Sequence, residues 1–448
     1  MPTRAALAHI PGPPTPPLIG HTLTIARDSY GTQQEYMKRY GPVYKTNMLG
    51  VWRVNLCGPD ALEYVLLDKE KNFSSAGGWD ALQRIYPGGL ILQDFEGHRQ
   101  NRRIMMAAFR ATAIRDYRVR MGKIMQDMLT DWPKDAPFDF YSAIKNMTLH
   151  MGGAVFMGLP LDDGLAKKIN RAITDEIRAS VTPLRWAVPF TPMWRGIRGR
   201  DFLRESFRTM IDERRKTGGE DFFTQMCLAK DEEGNGWGEE EILNQFNLLI
   251  MAAHDTTATS LSVMMSALGT HPDWQQRLID EVASLGDGEL DEEALGKMTE
   301  TDKVFREALR LVPPVPFIPR KALRDFHWKG YDIPAGTSLS LNPGVTMLSP
   351  ELFSNPTTFD PDRFAPDRVE DRIHRFAWTP FGGGAHKCLG MHFATMQVKL
   401  FLATLLRQYR VSLPDGAPEW HRMPIPKPKG GLPLTLSALN VHPLAKAA

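Results

Sequence analysis

The chain has 448 residues and carries 54 Lys and Arg against 52 Asp and Glu. That balance excludes a global field for recruiting nucleic acid or an anionic membrane, so any basic function has to be local. The three cysteines, Cys57, Cys227 and Cys388, are odd in number and far apart, which argues against a disulfide framework, suits a reducing compartment and leaves at least one thiol for chemistry.

No Gly/Ser-rich linker or charge run divides the sequence, and a single domain over 1–448 is expected. Residues 1–22 form a Pro-rich arm with no apolar run long enough for a signal peptide, which predicts a cytoplasmic protein. "SYGTQQEYMKRYG" predicts a short amphipathic helix, "VYKTNMLGVWRVNLCG" a hairpin turning near Gly50, and "PDALEYVLLD" a helix opened by proline. Residues 71–96 lack periodicity and read as a long ordered loop. Helical spacing dominates 97–132 and 165–226, with a break at "PLRWAVPFTPMW". A long apolar helix over 240–270 begins with acidic residues, ends at Gly-Thr-His-Pro and spans roughly 45 Å at about 1.5 Å per residue. His254 and Asp255 at its middle would be costly in a bilayer, so it reads as a helix crossing a protein interior. Helices at 272–284 and 300–312, a β-like "FHWKGYDIPAGTSLSLN" and a last helix over about 389–409 complete a mainly α chain with a small β portion.

The chemistry turns on "FGGGAHKCLG", residues 381–390, where a glycine-rich loop delivers a cysteine just ahead of an apolar helix. A thiolate there can receive amide hydrogen bonds and the positive end of the helix dipole, which lowers its pKa and tunes a bound metal. A lone cysteine reads as a buried structural residue. Phe381, Gly384, Cys388 and Gly390 together, however, fill the pattern FxxGxxxCxG, which resembles the cysteine loop of the cytochrome P450 superfamily. The resemblance implies that family's fold, a long central helix crossing over haem b, and Cys388 as the axial ligand of the iron.

Three further segments stand in the family's order, so the resemblance covers nearly the whole chain. Glu307 and Arg310, which alone would read as an exposed i,i+3 pair, are followed by "FDPDRF"; the resemblance implies a buried ion network with Arg363, in which Asp362 stands where the family more often has Glu. Residues 252–257, "AAHDTT", place polar groups in an apolar helix, where they need partners. They resemble the oxygen-binding kink, with Asp255 and Thr256 handling protons and Ala253 in place of the usual glycine. In "GHRQNRR", His98 and Arg102 lie one helical turn apart and can converge on an anion. They resemble the family's propionate-binding pair, with Arg320 and His386 as further contacts; a tryptophan frequent at the first position is absent, and His386 replaces a more usual arginine.

The resemblance implies a haem-thiolate monooxygenase, whose thiolate pushes electron density onto the iron and favours O–O cleavage. One atom of O2 would enter a C–H bond of a hydrophobic small molecule. Trp79, Leu82, Ile85, Leu90, Leu92, Met251, Ala252, Val315 and Phe317 are the candidate pocket residues. The FGGGxHxC form also resembles sterol- and retinoid-oxidising branches, which favours a steroid or terpenoid over a fatty acid. Electrons are expected from a separate ferredoxin or flavodoxin with an NAD(P)H-dependent reductase, docking on a basic patch of Arg103, Arg110 and Lys387; the protein is expected to be a monomer. Two alternatives stay open: a peroxygenase on the same fold, against which the Asp-Thr pair argues, and a non-catalytic haem-thiolate ligand sensor.

Overall fold

The computed structural model describes residues 2–107, 111–230 and 234–439, so Arg110 lies outside the described residues. The longer helices are α1 Ser29–Tyr40, α2 Pro59–Leu67, α3 Phe95–Ala107, α4 Ala111–Asp131, α5 Phe140–Gly152, α6 Asp163–Val181, α7 Pro192–Thr217, α8 Glu239–Thr270, α9 Pro272–Ser284, α10 Thr299–Leu311 and α11 Met391–Leu406. Their ends follow local chemistry. Proline opens α2, α7 and α9, and the side chains of Asp139, Asp162 and Thr191 cap α5, α6 and α7. Three glutamates in the first turn of α8 complement its dipole, and Glu241 turns back to accept from the Gly238 N–H at 3.0 Å.

The main sheet holds β1 Val43–Met48, β2 Val51–Leu56, β3 Phe73–Ser74, β4 Ile318–Ala322 and β5 Ser338–Leu341 in the order β1-β2-β5-β4-β3. β1 and β2 are the expected hairpin, with Gly50 at φ 82° in the turn; β2 and β5 run parallel and the other pairs antiparallel. This sheet closes over a second, smaller core that also buries Leu7 and Ile10 of the N-terminal arm.

α8 runs through the larger core and packs on α5, α7 and α10, while α6 and α7 pair as a close hairpin. Glycine permits that closeness: a Cβ on Gly196 would stand 2.3 Å from the Cβ of Ala179. α5, which continues into a π-helical turn at Gly153–Met157, was not legible in the sequence. Its buried residues Phe140, Ile144, Met147, Thr148, Leu149 and Met151 face several neighbours, and this blurs the apolar stripe. The 71–96 segment is a loop broken into a two-residue strand, one helical turn and two 3-10 turns. Among the described residues one helical stretch, Gly384–Leu406, is long and apolar enough to cross a membrane by length and composition. It contains α11, whose Phe401, Leu402 and Leu405 are wholly buried in the larger core.

Candidate active site around the cysteine loop

The loop before α11 is closed by its own backbone. Cys388 N–H donates to the Phe381 carbonyl at 2.9 Å and Lys387 N–H to that of Gly384 at 3.2 Å, while Gly390 caps α11. Gly384, at φ 61°, lies so close to the end of α2 that a Cβ would sit 1.8 Å from the Leu66 carbonyl oxygen, and only glycine fits. The Phe381 ring packs edge-on to Trp378 and Phe305, fixing the loop's other end. Cys388 keeps accessible surface at the end of this scaffold. Desolvation nevertheless pushes its thiol above the usual range, against the pull of the Gly390 N–H and the charges of Arg102 and Lys387. In the protein alone one amide and two cations do not outweigh burial, and a metal cation at the sulfur is what would reverse the balance.

Around the cysteine, four basic groups converge from three segments. His98 and Arg102 come from α3, Arg320 from β4 and His386 from the loop itself. The His98 and His386 rings lie 3.9 Å apart, centroid to centroid. Burial, with the charges of Arg102 and Arg320, lowers His98 to about 4; burial, with Arg320, His98 and Arg102, lowers His386 to about 2. Arg320 is itself lowered to about 10 by burial, although Asp94 and Asp68 oppose the shift. Its side chain bonds to the Pro319 carbonyl at 2.9 Å, and Asp94 is taken up by the Ser75 N–H at 2.7 Å. Such a cluster, in which the two arginines disfavour protonation of the two histidines, fits a ligand bearing anionic groups, as haem does through its two propionates.

The middle of α8 presents two different faces. Ala252 and Thr256, one turn apart, keep accessible surface, and the Thr256 hydroxyl donates to the Ala252 carbonyl at 2.6 Å. Asp255 is buried against α5, with Lys145 Nζ 2.8 Å from its Oδ1, and Thr257 is buried too. Asp255 and Thr256 therefore engage separate partners. His254 is also enclosed, between Thr148 at 3.1 Å and Asn170 at 3.3 Å, and burial lowers it to about 4. The helix is continuous through Ala253, without an interruption at the position of the expected kink.

Glu307, Arg310 and Arg363 meet with no exposed surface: Arg310 bonds both Glu307 oxygens at 2.7 and 2.8 Å, and Arg363 Nε bonds both at 3.1 Å. Sequence reasoning missed a fourth member, Glu370, which accepts from Arg363 NH1 at 2.7 Å. Asp362 points elsewhere, accepting from Arg277 at 2.8 and 2.9 Å and from Lys303 at 3.1 Å. Of the candidate pocket residues, Ala252 and Val315 are exposed, and Trp79, Leu82, Met251 and Phe317 half-buried. Leu90 and Leu92 are buried, and Ile85 is wholly enclosed, offering no surface to a ligand in this conformation.

A family model described as Cytochrome P450 matches residues 10–432. A Mycobacterium tuberculosis protein carrying the name cytochrome P450 136 is 38% identical over 94% of this chain and 87% of its own length. The pentalenene oxygenase of Streptomyces avermitilis is 27% identical over 89% of this chain and 90% of its own. A solved structure described as "Retinoic acid bound cyanobacterial CYP120A1" superposes with a TM-score of 0.88 at 29% identity, covering 96% of this chain and 100% of that one.

Proposed function

The chain belongs to the cytochrome P450 family and is a haem-thiolate monooxygenase, and from that premise we propose that Cys388 ligates the iron of haem b and that the substrate is a steroid or terpenoid. The observation that carries the site assignment is the convergence of His98, Arg102, Arg320 and His386 beside an accessible Cys388. These four groups would hold the propionates, and Phe381, Gly384 and Gly390 give the thiolate loop its shape. When bound, haem supplies the activation of O2 and the oxygen transfer.

The protein's own residues then have three tasks. The Thr256 hydroxyl, on the accessible face of α8, holds a proton donor at the oxygen-binding side. Asp255, paired with Lys145, is the carboxyl group through which protons are relayed toward that side. Apolar residues of the 79–92 loop, together with Met251, Val315 and Phe317, exclude water and favour a hydrophobic ligand. A terpenoid or steroid agrees with the names of two relatives, an oxygenase of pentalenene and a structure with retinoic acid bound. Electrons come from a ferredoxin or flavodoxin with its reductase, and the protein acts as a cytoplasmic monomer.

The test is a ferric spin-state screen against steroid, terpenoid, fatty-acid and aromatic libraries, followed by turnover with NAD(P)H and supplied redox proteins. A shift and an oxygenated product from a steroid or terpenoid are expected. Shifts confined to fatty acids would overturn the substrate class. Product formed from peroxide alone, with none from NAD(P)H, would mark a peroxygenase, and binding with no product under either regime a sensor.

A further inference from the structure

Glu176 on α6 is fully buried and makes no ion pair among the described residues. Its Oε1 accepts from Asn247 Nδ2 of α8 at 3.1 Å. Its Oε2 and the Tyr86 hydroxyl neighbour each other, both buried, and neither atom has a hydrogen-bond partner of good geometry. Three segments thus meet at one carboxyl: α6, α8 and the 79–92 loop. Both partners are neutral, an amide and a phenol, and an ionised carboxylate enclosed with them would be costly. A neutral Glu176 that keeps the bond from Asn247 has one O–H to donate, and the unpartnered Tyr86 oxygen is the acceptor beside it.

The loop has other ties, of which the one from Gln245 is also buried. Gln245 of α8 bonds the Gly88 carbonyl at 2.9 Å, Arg200 of α7 bonds that of Arg84 at 2.7 Å, and Arg185 bonds that of Ala81 at 3.2 Å. Glu176 is the one titratable group among these buried anchors.

We propose that Glu176 is a positioning residue for substrate access: as a neutral acid it joins Tyr86 to Asn247 and holds the 79–92 loop closed against α6 and α8. The inference rests on the monooxygenase reading for the loop's place in the cavity wall. Ionisation of Glu176 releases the loop. Burial raises its pKa to about 8, against the pull of Asn247, Tyr86 and Arg200 and with Asp201 adding to the rise. The groups facing the cluster are Arg200 and Asp201 of α7, Asp255 of α8 with Lys145 of α5, and His254, which at about 4 stays neutral. The closed form retains a proton that an opened form, titrating near the ordinary 4.5, gives up. Closure therefore weakens as pH rises between those values, by up to about tenfold per pH unit, and levels off above about 8.

The experiment is hydrogen–deuterium exchange of residues 79–92 in the haem-loaded protein at pH 6 and pH 9, corrected for intrinsic rates. It is paired with stopped-flow association of 4-phenylimidazole, read from its Soret shift. Exchange and association should both be roughly tenfold or more faster at pH 9 in the wild type. E176Q, whose amide can still bridge Tyr86 and Asn247, should be slow at both pH values. E176A and Y86F should be fast at both; Y86F and the wild-type pH profile carry the test if E176A does not fold. Unchanged loop exchange across pH and in Y86F overturns the inference, as does faster exchange without faster association. A protein lacking the carbon monoxide spectrum of thiolate ligation would instead fail the monooxygenase reading, whatever the loop does.

Discussion

The Thr256 hydroxyl stands on a helix face where its neighbour one turn away is alanine, and leaving such a group unpaired costs about 1–3 kcal/mol. Its bond to the Ala252 carbonyl satisfies the donor and leaves the oxygen free to accept from a second partner. Thr256→Ala should leave haem content and substrate affinity near wild type. NAD(P)H consumption should continue while product per NAD(P)H falls roughly tenfold and hydrogen peroxide rises, short of the roughly 10²–10⁴-fold of a full acid–base role. Thr257 is the control, because its side chain is buried about 100° around the helix. Full coupling in both variants would end the proton-control role, and uncoupling only in Thr257→Ala would move it by one residue. The cysteines divide as sharply. Burial raises Cys57 to about 11 and Cys227 to about 12, which keeps both as thiols, whereas Cys388 is accessible on a loop built to present it. Cys388→Ala should abolish the red-shifted Soret band of the reduced carbon monoxide adduct; its loss in Cys57→Ala or Cys227→Ala instead would refute the assignment.

α10 contributes Glu307 and Arg310 to a network that ties it to residues 354–370, the segment leading to the cysteine loop. Glu307→Ala would strand Arg310 without its carboxylate and leave Arg363 with Glu370 alone, at roughly 3–5 kcal/mol for a broken buried pair. Loss of haem incorporation or of folding is expected, and a stable haem-loaded variant would contradict a structural role. Glu370 adds a pH dependence. Burial would raise its pKa, but bonds from Arg368, Ser354 and Arg363 outweigh that and hold it at about 2. A carboxylate lowered in the folded state gives stability that is complete above its ordinary value and lost as pH falls toward the folded one. The difference in melting temperature between wild type and Glu370→Gln should therefore shrink from pH 5 to pH 3, and a constant difference would show that Glu370 does not titrate in this way. Glu307, Arg310 and Arg363 were legible because they sit in two short patterns. Glu370 was not, since it lies in a 3-10 turn with no periodicity to mark it. α5 stayed hidden for the related reason that burial on several sides leaves no polar stripe.

Across the whole molecule, the elements with strong local signals emerged nearly where the sequence placed them: the 43–56 hairpin, the proline-led helices and the acidic start of α8. What stayed unreadable depends on distant contacts, such as the pairing of β2 with β5 across nearly three hundred residues, whereas the grouping of His98, Arg320 and His386 was reached only through the family resemblance and not from local pattern. The same scale governs electron delivery. A formal net charge of +2 gives the protein little long-range pull on an acidic partner, so recognition must come from local charge near the cysteine loop. Arg103 on α3 and Lys387 beside Cys388 are both exposed. Charges on such a patch speed encounter with an acidic ferredoxin or flavodoxin at low salt and are screened beyond about 10 Å at 0.1 M. Reduction of the ferric protein by an acidic ferredoxin should slow steadily from about 0.02 to about 0.5 M salt. Arg103→Glu and Lys387→Glu should lower the low-salt rate and flatten that slope, with the carbon monoxide spectrum unchanged to show an intact site. A rate independent of salt in the wild type, or reversed-charge variants that match it at every salt concentration, would remove these two residues from the docking surface.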